Sequence, residues 1–241
     1  MSGTHEEKTI GTVQKVHLAP LWSVFAGAVG LAAIGLFSVL SFPGWCAGLL
    51  YLVGSNVLLA RGLRGSETLR FGPANAVTAV RSSLVGLITA LVATSFTTTP
   101  ISVSLLIGLT VPALALDAVD GWIARRTQTT SELGARFDME VDAFLLLVLS
   151  VYVAQDLGWW VLIIGLLRYV FVAAGWLLPW MTRTLPPRYW RKVVTAAGGI
   201  GLTIAASGLL PREGDVIVTL ICLGLLAESF ARDVTWLFRR R

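Results

Sequence analysis

The sequence predicts an all-α, polytopic membrane protein with about eight transmembrane helices. Three observations carry that prediction. Hydrophobic residues make up 55% of the chain, charged residues 14%, and the mean hydropathy is +0.76. Two long runs, Leu18 to Ala60 and Ser82 to Leu116, contain no charged residue. Basic residues recur at alternate breaks between apolar runs.

Each uncharged run is long enough for two crossings, because a helix needs about 20 residues to span the hydrocarbon core. Pro43-Gly44 divides the first run and Thr97-Thr98-Thr99-Pro100 the second, since proline and polar turn residues suit interfacial bends. Further spans fall at 139–155, 158–178, 193–210 and 216–238. A large soluble bundle is excluded by the length of the first run, which leaves no wet surface. The N-terminal apolar stretch is too long for a signal-peptide core and lacks a small-residue cleavage site after a short one, so it is expected to remain attached.

Lys and Arg near span ends are retained on the cytoplasmic side. Lys8 and Lys15, then Arg61, Arg64 and Arg70, then Arg125, Arg126 and Arg136, then Arg183, Arg188, Arg191 and Lys192, and last Arg239 to Arg241 all fall on one side of an eight-span topology. The opposite loops hold only Arg212. Both termini are therefore expected in the cytoplasm, and in a bacterium the membrane would be the inner one. The net charge of +5 reads as topology and attraction to anionic lipid headgroups, with no call for nucleic acid. Cys46 and Cys222 lack any CxxC spacing and are expected in the core. Both histidines, His5 and His17, precede the first span, which removes support for a zinc site or a histidine relay. Tryptophans such as Trp159, Trp160, Trp180, Trp190 and Trp236 sit at predicted span ends as an interfacial belt.

Against this background the stretch from Asp117 to Asp142 concentrates carboxylates where they are costly. Acids at a bilayer edge usually mark function. Asp117 and Asp120 are one helical turn apart at the end of the fourth span, as are Asp138 and Asp142 at the start of the fifth, so each pair shares a face. The polar connection Gln128 to Ser131 is short enough for the pairs to face each other. Four such carboxylates would repel unless cations neutralised them. Hard divalent ions, Mg²⁺ or Mn²⁺, one or two of them, suit an all-oxygen set and hold substrate phosphates. A pair of ions would clamp the attacking and leaving oxygens of a displacement at phosphorus. Gly121 and Gly134 would let a bulky ligand or a neighbouring helix approach the backbone, and Arg125 offers donors to a pyrophosphate. Glu140 lies on another face and reads as solvated.

The pattern D-x2-D-G-x2-A-R-x8-G-x3-D-x3-D, met at Asp117, Asp120, Gly121, Ala124, Arg125, Gly134, Asp138 and Asp142, resembles the signature of the CDP-alcohol phosphotransferases. Asn75-x2-Thr78-x2-Arg81 is similar to a second, weaker element of that family; by itself it would be a helix cap and an interfacial arginine. The resemblance implies a six-helix catalytic core over about residues 66–241, preceded by an N-terminal extension, 1–65, with two transmembrane helices of no assigned role. It implies a short surface helix at Ser66 to Gly72 and a homodimer. Asp117, Asp120, Asp138 and Asp142 would be metal ligands, with Asp142 also taking the proton of the attacking hydroxyl. Asn75, Thr78, Gly121, Arg125 and Ser131 would contact the CDP moiety. The reaction implied is transfer of a phosphatidyl group from a CDP-diacylglycerol-type lipid to a small alcohol, with release of CMP; a CDP-linked small alcohol acting on a lipid also satisfies the signature.

Candidates for the acceptor pocket are Arg168, near the middle of the sixth span, Arg188, Arg191 and Lys192 at the mouth of the seventh, and Arg232 in the last. Each has a structural alternative: pairing within the bundle for Arg168, membrane anchoring for the others. Basic residues near the site favour a phosphorylated polyol such as glycerol 3-phosphate or inositol phosphate. A transporter with an acidic cation relay is the competing class, but its acids would lie near the midplane between repeats rather than at one face.

Overall fold

The computed structural model describes residues 25–36, 40–65, 73–127, 132–183, 185–186 and 188–240; the side chains of 62–65, 73–76, 120–127, 132–133 and 182 fall outside that description. Among the described residues there are eight α-helices and no strand: α1 (Phe25–Leu36), α2 (Phe42–Gly65), α3 (Pro73–Thr94), α4 (Val103–Thr127), α5 (Glu132–Leu157), α6 (Leu162–Leu177), α7 (Tyr189–Ser207) and α8 (Arg212–Phe238). Four segments are long and apolar enough to cross a bilayer, Phe42–Arg61, Val77–Thr94, Trp159–Leu177 and Arg212–Phe238, and Phe25–Leu36 and Val103–Val119 are shorter apolar helices. The chain is a polytopic, all-helical membrane protein. The surface helix expected at 66–72 lies outside the described residues.

The helices form two compact units, 1–141 and 142–241. In the first, small residues let backbones approach. A Cβ on Gly48 would stand 2.9 Å from the Ala90 Cβ, and one on Gly86 would stand 2.7 Å from Leu52, so α2 and α3 pack with almost nothing between them. On α1, Gly27 accommodates the Leu52 side chain, Gly30 meets Leu87, and Leu31 is fully buried. The Ser41 amide and hydroxyl both donate to Thr94 Oγ1, at 3.3 and 3.2 Å, pinning the start of α2 to the end of α3.

In the second unit Gly165 on α6 lies against the backbone of Leu147 on α5. On α7, Gly198 meets Leu226 and Gly201 meets Cys222 and Val218 of α8. The Phe171 and Phe230 rings, 5.6 Å apart, tie α6 to α8. Gly208 closes α7 with φ of 65°, a left-handed conformation that costs glycine nothing. Cys222 is buried as expected. Cys46, expected in the core, is exposed on α2, because the buried face of that helix is taken by Gly44, Gly48 and Leu52.

Several buried hydroxyls are satisfied within their own helices, since a helix in lipid has no water to turn to. Thr94, Thr110, Ser150, Thr203 and Thr219 each donate to the carbonyl four residues earlier, at 2.7 to 2.8 Å.

The tight α7–α8 contact yields a stability test. Gly201→Ala would overlap Cys222 Sγ and should destabilise the protein by about 1–3 kcal/mol. Gly224→Ala, with no atom within 4 Å of its new methyl, should not. Adding Cys222→Ala to Gly201→Ala should recover most of the lost thermal midpoint in detergent.

Candidate metal centre

Three helices bring the site together. α4 outlasts its apolar run, continuing through Thr127, and so presents Asp117 as part of a helix rather than a loop. α5 begins at Glu132 and carries Asp138 and Asp142 one turn apart on one face. Carboxylate oxygens of Asp117, Asp138 and Asp142 all lie within 4.8 Å of one another. Oxygens on opposite sides of an Mg²⁺ ion stand about 4.2 Å apart, so small side-chain rotations would close this triad on a hard cation. The donor set is all oxygen and half-buried, as such an ion requires.

The third helix, α3, supplies a counter-charge. Arg81 is fully buried, and its guanidinium forks between the two carboxylate helices. Its Nη1 donates to Asp117 Oδ1 at 2.9 Å, and its Nη2 donates to Asp138 Oδ1 at 2.5 Å and to the Asp138 carbonyl at 3.2 Å. One arginine thereby neutralises part of the charge of three acids and leaves a net negative site. A single charge that touches two partners on different helices also fixes their separation, a task suited to the planar guanidinium fork.

The other expected site residues divide by what is described. Thr78 is buried on α3 one turn before Arg81. Asn75 lies in the first turn of α3, and Asp120, Gly121 and Arg125 lie on α4 beyond Asp117, but their side chains are outside the described residues. Ser131 lies outside them altogether. Glu140 is exposed, in keeping with a solvated role.

Of the acceptor candidates, Arg188 and Arg191 both point to Asp233 on α8, at 3.7 and 3.3 Å, and Arg191 also donates to the Pro186 carbonyl at 2.5 Å. Arg232 pairs with Glu228 one turn back, and Glu228 accepts a bond from the Trp190 indole at 3.1 Å. Lys192 is exposed and Arg168 is half-buried on α6. The basic residues at the start of α7 are thus organised around a buried acid.

Two residues were underestimated from sequence. Arg81 stood out only as part of a weak motif, although a lone charge at the edge of a long uncharged run was itself a signal. Asp233, with its side chain 5% exposed, was missed; an acid in the last apolar helix beside several arginines could have marked it.

The CDP-alcohol phosphatidyltransferase family profile matches residues 71–228, well over half of the chain, and spans Arg81, the aspartate triad and the α7 arginines. Members of that family are transferases of phospholipid headgroup synthesis that act on CDP-alcohols. No curated relative and no solved structure matches the chain. The chain belongs to the CDP-alcohol phosphatidyltransferase family.

Proposed function

We propose that this protein transfers a phosphatidyl group from CDP-diacylglycerol to the hydroxyl of a phosphorylated polyol, such as glycerol 3-phosphate or inositol phosphate, with release of CMP. The observation that carries the reading is the Asp117–Asp138–Asp142 triad braced by Arg81 within the family-matched segment.

In this reading Asp117, Asp120 and Asp138 hold Mg²⁺ or Mn²⁺, as two ions, and Asp142 completes the set. Divalent ions bound there supply positive charge to the pyrophosphate oxygens of the donor. Asn75, Thr78, Gly121, Arg125 and Ser131 contact the CDP moiety. Asp142 takes the proton of the acceptor hydroxyl as its oxygen bonds to the phosphorus that bears diacylglycerol. The bond from that phosphorus to the bridging oxygen breaks, CMP departs with the electron pair, and a phosphodiester remains.

The preference for a phosphorylated acceptor rests on Arg188, Arg191, Lys192 and Arg232, with Arg168 a further candidate. Asp233 holds two of these side chains in place, and the forked guanidinium matches phosphate. We place the catalytic core at 66–241, the site and both termini in the cytoplasm on the strength of the basic residues, and the protein in a homodimer by analogy with the family.

Purified protein with CDP-diacylglycerol and Mg²⁺ should form CMP when given glycerol 3-phosphate or inositol phosphate and far less with serine. Chelation should abolish the reaction and Mn²⁺ should restore it. CMP formation with no alcohol would contradict the reading. Asp142→Asn should lower kcat by about 10² to 10⁴ while changing the donor KM little. Arg191→Ala should raise the KM for the phosphorylated acceptor about tenfold or more and spare the donor KM.

A further inference from the structure

Helix α2 lies outside the family-matched segment, which begins at residue 71, yet it is in closest contact with the helix that carries Arg81. Along the α2–α3 seam residue numbers rise on one helix and fall on the other. Gly44 faces Ala90 and Thr94, Gly48 faces Gly86 and Ala90, and Leu52 and Tyr51 face Gly86. The last step of this ladder is polar: Tyr51 Oη lies 3.4 Å from Ser82 Oγ. Ser82 is the residue after Arg81.

The face of α2 continues in the same sense, with Ser55, Asn56 and Leu59 buried, while Thr78 and Ala79 are buried on α3. A helix that only met lipid would have no use for a half-buried tyrosine, a serine and an asparagine on one side. Its opposite side is the lipid-facing one, with Leu50, Val53 and Leu58 exposed. The Arg81 guanidinium is committed to Asp117 and Asp138 at once, so whether it spans both depends on where α3 stands along its own axis. A slide of α3 by a few tenths of an ångström would lengthen one of those bonds.

We propose that α2 is a positioning element of the metal centre, in which packing at Gly44, Gly48 and Gly86 and the Tyr51–Ser82 contact fix α3 so that Arg81 spans Asp117 and Asp138. Tyr51 acts as a positioning residue, through Ser82. The proposal rests on the reading of the triad as a cation site, and it assigns a role to a helix that the family core does not contain.

The test uses the full-length protein in detergent and reads Mn²⁺ binding by electron paramagnetic resonance, alongside CMP formation. Tyr51→Phe and Ser82→Ala should each weaken Mn²⁺ affinity about threefold or more, and the double variant should be no worse than the weaker single one, because both remove one contact. Leu50→Ala on the exposed face should match wild type. Unchanged Mn²⁺ affinity in Tyr51→Phe and Ser82→Ala, or losses that simply add, would overturn the proposal. If wild type binds Mn²⁺ but releases no CMP with any acceptor, the transferase reading fails while the Mn²⁺ arm still decides the role of α2. If wild type binds no Mn²⁺, both fall.

Discussion

The site depends on one buried guanidinium. Arg81 has no exposed surface, and two carboxylates and a carbonyl from α4 and α5 help to accommodate it in a membrane helix. The dependence runs both ways. Three acids whose oxygens share a small volume would force one another apart, and the cation of α3 holds two of them at hydrogen-bond distance before any metal arrives. A preformed cluster with residual negative charge is a suitable host for hard divalent ions and, through them, for a pyrophosphate. Removing one member of such a set leaves the others uncompensated, and that loss typically exceeds what the intact set contributes to stability.

In the first unit, the packing of α1 and α2 holds the helix that carries Arg81. Van der Waals packing between glycine and alanine faces replaces the hydrophobic drive that lipid removes. Several buried hydroxyls are turned back onto their own helices. Two groups of charges lie inside: Arg81 with Asp117 and Asp138 in one place, Arg188 and Arg191 with Asp233 in another.

Much of this was legible in the sequence. The all-helical, polytopic character follows from uncharged runs and the turn residues that interrupt them, although among the described residues four segments, not eight, are long and apolar enough to cross a bilayer. Asp138 and Asp142 were legible as a pair because a spacing of four defines a helical face without reference to anything else. What was hidden depends on distant partners. Arg81 meets acids 36 and 57 residues away, so by itself it resembles any arginine that anchors a span end. Asp233 acquires meaning only when α8 docks against α7. Cys46 was assigned to the core because composition shows that α2 is apolar but not which side faces its neighbours. α4 extends past its apolar run to Thr127, which hydropathy alone does not register.

The most direct measurement is a structure determined with Mn²⁺, its position read from anomalous scattering. The account predicts peaks held by side-chain oxygens of Asp117, Asp120, Asp138 and Asp142, with Arg81 still buried between α4 and α5. A peak elsewhere, or an Arg81 displaced from both aspartates in the loaded protein, would contradict it.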